Sequence, residues 1–316
     1  MSTLRDPNTL LWTALRAALI GALAVAALVL ASCGGGSTST RSDSGQLQVV
    51  AAENLWGSLA AQLGGDKVTV QSIISSPNTD PHEYEATPSD ARAVASAQYV
   101  VYNGIGYDPW AEKLINANPS NGRVVLKVQT LLGLKSDDNP HAWYSPDDVL
   151  KVVDQITADY KKLDPAAAAF FDTQHGEFIT NGLKEYDASV LQIREKYAGT
   201  PIGATESIVS PLADALGLKL LTPYSFLQAV SEGTDPTAQD KAIADSQIES
   251  NQIAVLMFNT QNATPDVQRL VDAATAKGIP IVDVTETLDP PTDSFQAWQT
   301  RQIRSLADAL AKATGK

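Results

Sequence analysis

Short runs of apolar and β-branched residues alternate with helix-period segments through most of this chain. The alternation stops once, for a single long helical stripe, and then resumes. Such alternation dictates parallel α/β sheet with ligand loops at the strand C-termini. Before the stripe, residues 47–52, 68–74, 99–102 and 123–128 read as strands. Leu55, Leu59 and Leu63 recur at helical spacing between the first two, and Gly64-Gly65-Asp66 ends that helix. Ser89 is expected to cap a helix over 90–97, Asp108-Pro109 one running through Asn116, and Ser145-Pro146 a third. Asp164-Pro165 then opens the stripe. Ile179, Leu183, Tyr186, Val190, Ile193 and Tyr197 step by 4, 3, 4, 3 and 4. A helix over that stretch would run roughly 50 Å, enough to bridge two lobes. After Gly199, residues 201–205, 219–221, 253–258 and 279–284 read as strands, with helices over 211–216, 238–251, 265–277 and 295–313.

The N-terminus stands apart from this pattern. Arg5 and Arg16 precede an apolar run over residues 17–31, too short for the ~20 residues a membrane span needs and suited to a signal peptide. Leu30-Ala31-Ser32-Cys33 resembles a bacterial lipobox, whose cysteine becomes the lipid-bearing first residue of the mature protein. Cys33 is the chain's one cysteine, which excludes an internal disulfide or a cysteine-based metal site. Residues 34–45 are mostly Gly, Ser and Thr, the composition of a flexible tether. The body carries its apolar and charged residues in globular proportion. The full chain's net charge of -13 argues against a nucleic-acid surface, which needs stripes of Lys and Arg.

The chemistry concentrates in loops. His82 lies between Pro81 and Pro88 on a stretch stiffened by proline, directly after the second strand candidate. Pro140-His141 repeats that arrangement ahead of the Ser145-Pro146 cap. The third histidine, His175, lies on the long stripe and reads as a surface or packing residue. Glu206 ends the 201–205 strand, and Glu286 follows the last strand with Asp283 nearby. Two imidazoles and two carboxylates suit a divalent first-row metal. Taken singly, either glutamate would be an ordinary solvated or helix-start carboxylate.

At these residues the chain resembles the metal-binding substrate-binding proteins of ABC importers, the cluster A-I or zinc/manganese/iron type. The matching stretches are Ala52-Glu53-Asn54-Leu55-Trp56-Gly57, Asp80-Pro81-His82-Glu83-Tyr84, Tyr102-Asn103-Gly104-Ile105-Gly106, Pro140-His141-Ala142-Trp143 and Gly203-Ala204-Thr205-Glu206. The resemblance implies an α/β fold of two lobes, each a four-stranded parallel sheet flanked by helices, joined by one long rigid linking helix. It divides the chain into a signal peptide (1–32), a lipid-anchored tether (33–45), an N-terminal lobe (46–163), the linking helix (164–198) and a C-terminal lobe (199–316). It implies metal ligands at His82, His141 and Glu206, and a fourth at Glu286, with Asp283 as the alternative. The family's commoner aspartate is replaced here by Glu286.

The function implied is capture of Mn²⁺ or Zn²⁺, with Fe²⁺ a further option, outside the membrane. Delivery would be to an ABC permease and its ATPase, by a monomer anchored through lipid on Cys33. Carboxylate hardness favours manganese, whereas the usual affinity order favours zinc. No catalysis is expected. The competing readings are a surface metallohydrolase, which would need an open coordination position and a general base, and a surface adhesin as an added role.

Overall fold

Eight short strands in the computed structural model, which describes residues 45–79, 81 and 84–316, form two sheets of four parallel strands each. The signal segment, Cys33, the tether through residue 44, and His82 lie outside the described residues. The first sheet contains β1 (Leu47–Glu53), β2 (Val68–Ile74), β3 (Tyr99–Tyr102) and β4 (Val124–Lys127) in the order β2-β1-β3-β4. The second contains β5 (Pro201–Ala204), β6 (Lys219–Leu220), β7 (Leu256–Asn259) and β8 (Ile281–Val284) in the order β6-β5-β7-β8. The central strands are buried almost throughout, as expected of parallel sheet covered by helices on both faces. In each sheet the order reverses between the two central strands, and the C-terminal side of such a switch point is where α/β folds bind ligands.

The helices of the first half are α1 (Asn54–Gly64), α2 (Pro88–Ser96), α3 (Pro109–Ala117), α4 (Val128–Leu132) and α5 (Pro146–Leu163). Helix α5 starts at the expected Ser145 cap, whose side chain accepts from the Asp148 N–H. Helix α2 starts two residues earlier than expected, with Thr87 rather than Ser89 as its cap. The Thr87 hydroxyl accepts from Asp90 N, and the Asp90 carboxylate accepts from Thr87 N at 2.7 Å, a reciprocal capping box. Asp108 also differs from expectation. Its carboxylate does not cap α3 but accepts from Asn103 N and Gly104 N, each at 2.7 Å. Those bonds close the Asn103–Gly106 turn, in which the β-branched Ile105 is held at φ 56°, a strained position for such a residue.

The linking segment is helical but not one regular α-helix. A 3₁₀ turn (Pro165–Ala167) leads into α6 (Ala168–Glu177), a π-helical turn (Phe178–Gly182) and, after Leu183, α7 (Lys184–Tyr197). Burial explains the irregular step. The residues that face the core are Phe171, Phe178, Leu183, Tyr186, Ile193 and Tyr197. The spacing between Phe178 and Leu183 is five residues, which a π turn accommodates and an α turn does not. Phe178 is therefore buried in the core while the expected Ile179 packs against its edge only half-buried, and Leu183 N bonds Phe178 O at 2.9 Å. His175 lies on α6 with its Nε2 2.7 Å from the Asp154 carboxylate, in agreement with a surface role.

The second half adds α8 (Ser210–Leu216), α9 (Tyr224–Ser231), α10 (Ala238–Glu249), α11 (Pro265–Ala276) and α12 (Phe295–Thr314). Helix α9 was not expected, although Phe226, Leu227 and Val230 supply it with a buried face. A polar stripe on α1 ties the halves together. Asn54 Oδ1 accepts from Leu288 N, Ser58 Oγ from Phe295 N, and the Gln62 and Gln296 amides bond each other in both directions. Among the described residues no helix is long and apolar enough to cross a membrane.

The π turn makes a checkable distinction between neighbouring residues. Phe178→Ala is expected to cost about 3–5 kcal/mol in urea unfolding, whereas Ile179→Ala costs about 1 kcal/mol. Equal or reversed losses would place the core face on the α-helical register instead.

Candidate metal centre

The strand C-termini deliver the functional side chains. Glu206 follows β5 by two residues, Glu286 follows β8 by two, and Asn259 is the last residue of β7. His141 precedes a 3₁₀ turn, Ala142–Tyr144, that leads to α5. His141, Glu206 and Glu286 come from distant parts of the sequence, yet one ligating atom from each lies within 4.8 Å of the others. Their exposures are 0%, 1% and 5%, so all three have been taken out of water. Asp283, the alternative fourth ligand, is exposed on β8 and does not join them.

Polar neighbours hold each group in place. The His141 ring Nδ1 lies 2.8 Å from Asn139 Oδ1, and the same oxygen accepts from the His141 backbone N–H. An N–H at Nδ1 makes that contact a hydrogen bond and leaves Nε2, 3.9 Å from Glu206 Oε1, as the ligating nitrogen. Tyr107 and Trp143 pack edge-on against the ring, with centroids 6.0 and 5.2 Å away. Glu206 Oε1 accepts from the Ser231 hydroxyl at 3.0 Å, and Oε2 accepts from Asn259 Nδ2. Glu286 Oε2 accepts from the Tyr107 hydroxyl at 2.8 Å, and Oε1 accepts from the same Asn259 Nδ2 at 2.9 Å. The Glu286 backbone N–H donates to Gln261 Oε1.

Two like charges in so dry a place shift each other's titration. Burial first, and then the Glu286 carboxylate, push Glu206 up to about 8 against the opposing effect of the Asn259, Ser231 and Asn262 hydrogen bonds. Burial, then Glu286 and Glu53, raise the Tyr107 phenol, which keeps its proton and serves as a donor. Behind Tyr107 lies a second buried acidic pair. Burial and the neighbouring Asp108 carboxylate hold Glu53 well above the usual range, and burial pushes Asp108 up to about 6.

A cleft of ≈ 740 Å³ opens beside the carboxylates, lined by Pro77 and Pro81 on one side and by Ser231, Gln261, Asn262 and Glu286 on the other. Gln261 Nε2 donates to the Pro77 carbonyl across the cleft, and Trp110 Nε1 donates to the Pro81 carbonyl at 3.2 Å. The loop on which His82 was expected to act therefore borders the site, although His82 itself lies outside the described residues.

One imidazole and two carboxylates, buried and convergent, form a donor set for a first-row divalent cation. Metal–ligand bonds of about 2.0–2.2 Å need only a modest contraction of this cluster. Sequence reasoning overlooked Tyr107, Ser231, Asn259 and Gln261. Asn259-Thr260-Gln261-Asn262 is a polar run directly after a buried strand, and that position at the C-terminal edge of a parallel sheet was the available signal.

The chain is similar to known proteins. The family model described as ZnuA, the periplasmic component A of a zinc-uptake complex, matches residues 49–309. A manganese-binding lipoprotein, MntA, of Halalkalibacterium halodurans is 34% identical over 151 residues, 46% of this chain and 50% of that relative. The manganese ABC transporter substrate-binding lipoprotein PsaA of Streptococcus pneumoniae serotype 4 is 28% identical over 317 residues, covering 92% of this chain and 97% of its own. In fold, the chain matches the periplasmic zinc-binding protein TroA of Treponema pallidum with a TM-score of 0.72 at 19% identity, over 84% of this chain and 99% of that one.

The raised carboxyls predict a stability trend for the metal-free protein. Each of Glu53, Asp108 and Glu206 has a folded pKa above its unfolded value, so the unfolded chain releases these protons first as pH rises. Stability from these groups is complete below about pH 4 and is lost as pH climbs toward about 8. Urea midpoints should therefore fall from pH 5 to pH 8, and Glu206→Gln should flatten the upper part of that fall. A midpoint that rose over this window would contradict the assignment.

Proposed function

The chain belongs to the ZnuA family of periplasmic metal-uptake components, and on that premise we propose that it captures a divalent transition metal, Mn²⁺ or Zn²⁺ with Fe²⁺ a weaker option, and passes it to an ABC permease driven by its ATPase. The observation that carries this reading is the buried convergence of His141, Glu206 and Glu286 between the two sheets. The relatives' names describe manganese-binding and metal-transport lipoproteins, not enzymes, and support the same conclusion.

In this reading His141 binds through Nε2, and Glu206 and Glu286 each bind through carboxylate oxygen. His82 is the remaining ligand, an assignment that rests on its place in the sequence and on the neighbouring Pro77 and Pro81 at the cleft. Glu286 takes the role for which Asp283 was the alternative, because Asp283 stays on an exposed face of β8. Cys33 carries the lipid, residues 1–32 are removed, and residues 33–45 tether a monomeric body at the outer face of the membrane. The body divides at 46–163, 164–198 and 199–316. Neither the hydrolase nor the adhesin reading gains support from the site or from the relatives.

Loading exchanges protons for metal. Glu206 holds a proton up to about pH 8 in the metal-free protein, and a ligating carboxylate must give it up. Affinity should accordingly rise by about tenfold per pH unit for each displaced proton between pH 6 and pH 8. Metal titrations at constant ionic strength test this, and affinity independent of pH over that range would contradict it.

Substitution tests the ligands directly. His141→Ala and Glu206→Ala should each weaken binding beyond the ~10–100-fold that loss of a supporting contact costs. Metal analysis of purified protein checks the outcome. Retention of one tightly held metal per chain by both variants would remove this site from the account.

A further inference from the structure

The neighbour that touches both carboxylates is Asn259, and its orientation is settled by its other bonds. Asn259 Oδ1 accepts from Gln261 N at 3.0 Å, so the amide nitrogen must face Glu206 and Glu286. The Asn259 backbone N–H donates to Thr205 Oγ1 at 3.2 Å, which ties the residue to the strand end that bears Glu206. A primary amide has two N–H bonds. Here one serves Glu206 Oε2 and the other Glu286 Oε1.

From this bridge we infer that Asn259 is a specificity-determining residue that holds Glu206 and Glu286 as one-oxygen ligands and so limits the coordination number of the metal. The inference rests on the reading of His141, Glu206 and Glu286 as metal ligands. A carboxylate chelates a cation through both oxygens only when both turn toward it. The Asn259 amide draws one oxygen of each glutamate toward its own nitrogen. Glu206 then presents Oε1, the oxygen nearer His141 Nε2, and Glu286 presents Oε2. These accept from the Ser231 and Tyr107 hydroxyls, whose O–H bonds can rotate away from an incoming cation, whereas the Asn259 amide is fixed by Gln261.

The result is two single oxygens and one imidazole nitrogen, one donor short of a tetrahedral set. Zinc is satisfied by four ligands in tetrahedral geometry. Manganese favours more oxygens and octahedral surroundings. Asn259 therefore tilts the site toward the four-coordinate metal although its ligands are hard enough for manganese. With the bridge removed, each glutamate can turn its second oxygen toward the metal, the number of oxygen donors rises, and the balance moves toward Mn²⁺.

The test measures affinities for Mn²⁺ and Zn²⁺ by competition, together with the visible absorption of Co²⁺-loaded protein. Four-coordinate Co²⁺ absorbs strongly in the visible and six-coordinate Co²⁺ weakly. The unmodified protein should show the strong bands. Asn259→Ala should weaken them and raise the ratio of Mn²⁺ to Zn²⁺ affinity by tenfold or more. Asn259→Leu keeps nearly the same side-chain volume while removing both donors and adding no ligand, and should change the ratio in the same direction if the alanine variant fails to fold. Weak bands in the unmodified protein, or an unchanged ratio and spectrum in a folded variant, would overturn the role of Asn259 and leave the metal site standing. Absence of metal binding by the unmodified protein would instead overturn the site itself.

Discussion

Two carboxylates drawn out of water beside each other are the constraint on which this structure turns. An isolated buried carboxylate is so costly that it either takes a proton or finds compensating donors. Glu206 and Glu286 show both responses: a titration pushed upward, and hydrogen bonds from Ser231, Tyr107 and a shared Asn259 amide. A cation satisfies the same requirement more completely, since it supplies the positive charge that the donors only approximate. In the proposed reading, the bound cation supplies the charge around which the site is arranged.

Parallel-sheet topology is what allows such a cluster to exist. Each sheet changes strand order between its central strands, and the loops beyond those strand ends are free of sheet hydrogen bonding. The polar stripe Asn54, Ser58 and Gln62 on α1 fastens the first half to the residues just beyond Glu286. Tyr144 adds a bond from its hydroxyl to the Thr285 carbonyl, next to Glu286. Aromatic packing of Tyr107, Trp143 and Trp56 fills the floor beneath His141. Groups 65 or more residues apart in sequence are fixed together by these contacts, so the carboxylates meet His141 without a large rearrangement.

The strands were legible because buried parallel strands are short, apolar and bounded by turn residues, and all eight expected strands are present. The convergence of His141, Glu206 and Glu286 was legible only from the set of loop histidines and carboxylates together with the family resemblance, since either glutamate taken singly would pass as an ordinary carboxylate. The π turn at Phe178–Gly182 was not legible, because a single inserted residue leaves the sequence compatible with the α-helical stripe through Ile179. Asn259, Ser231 and Tyr107 lacked any periodic or charge signal. Their roles come from pairing with residues far along the chain, and only the folded geometry reveals that pairing. Glu53, the last residue of β1, carries no sequence signal of its buried place beside Asp108.

The central claim is that a cation bridges His141, Glu206 and Glu286, and anomalous diffraction from crystals of the zinc- or manganese-loaded protein tests it most directly. The account predicts one strong peak within about 2.0–2.2 Å of His141 Nε2 and of a carboxylate oxygen from each glutamate. A fully loaded protein whose peak lay elsewhere, with these three side chains still bonded to Asn139, Ser231, Asn259 and Tyr107, would contradict it.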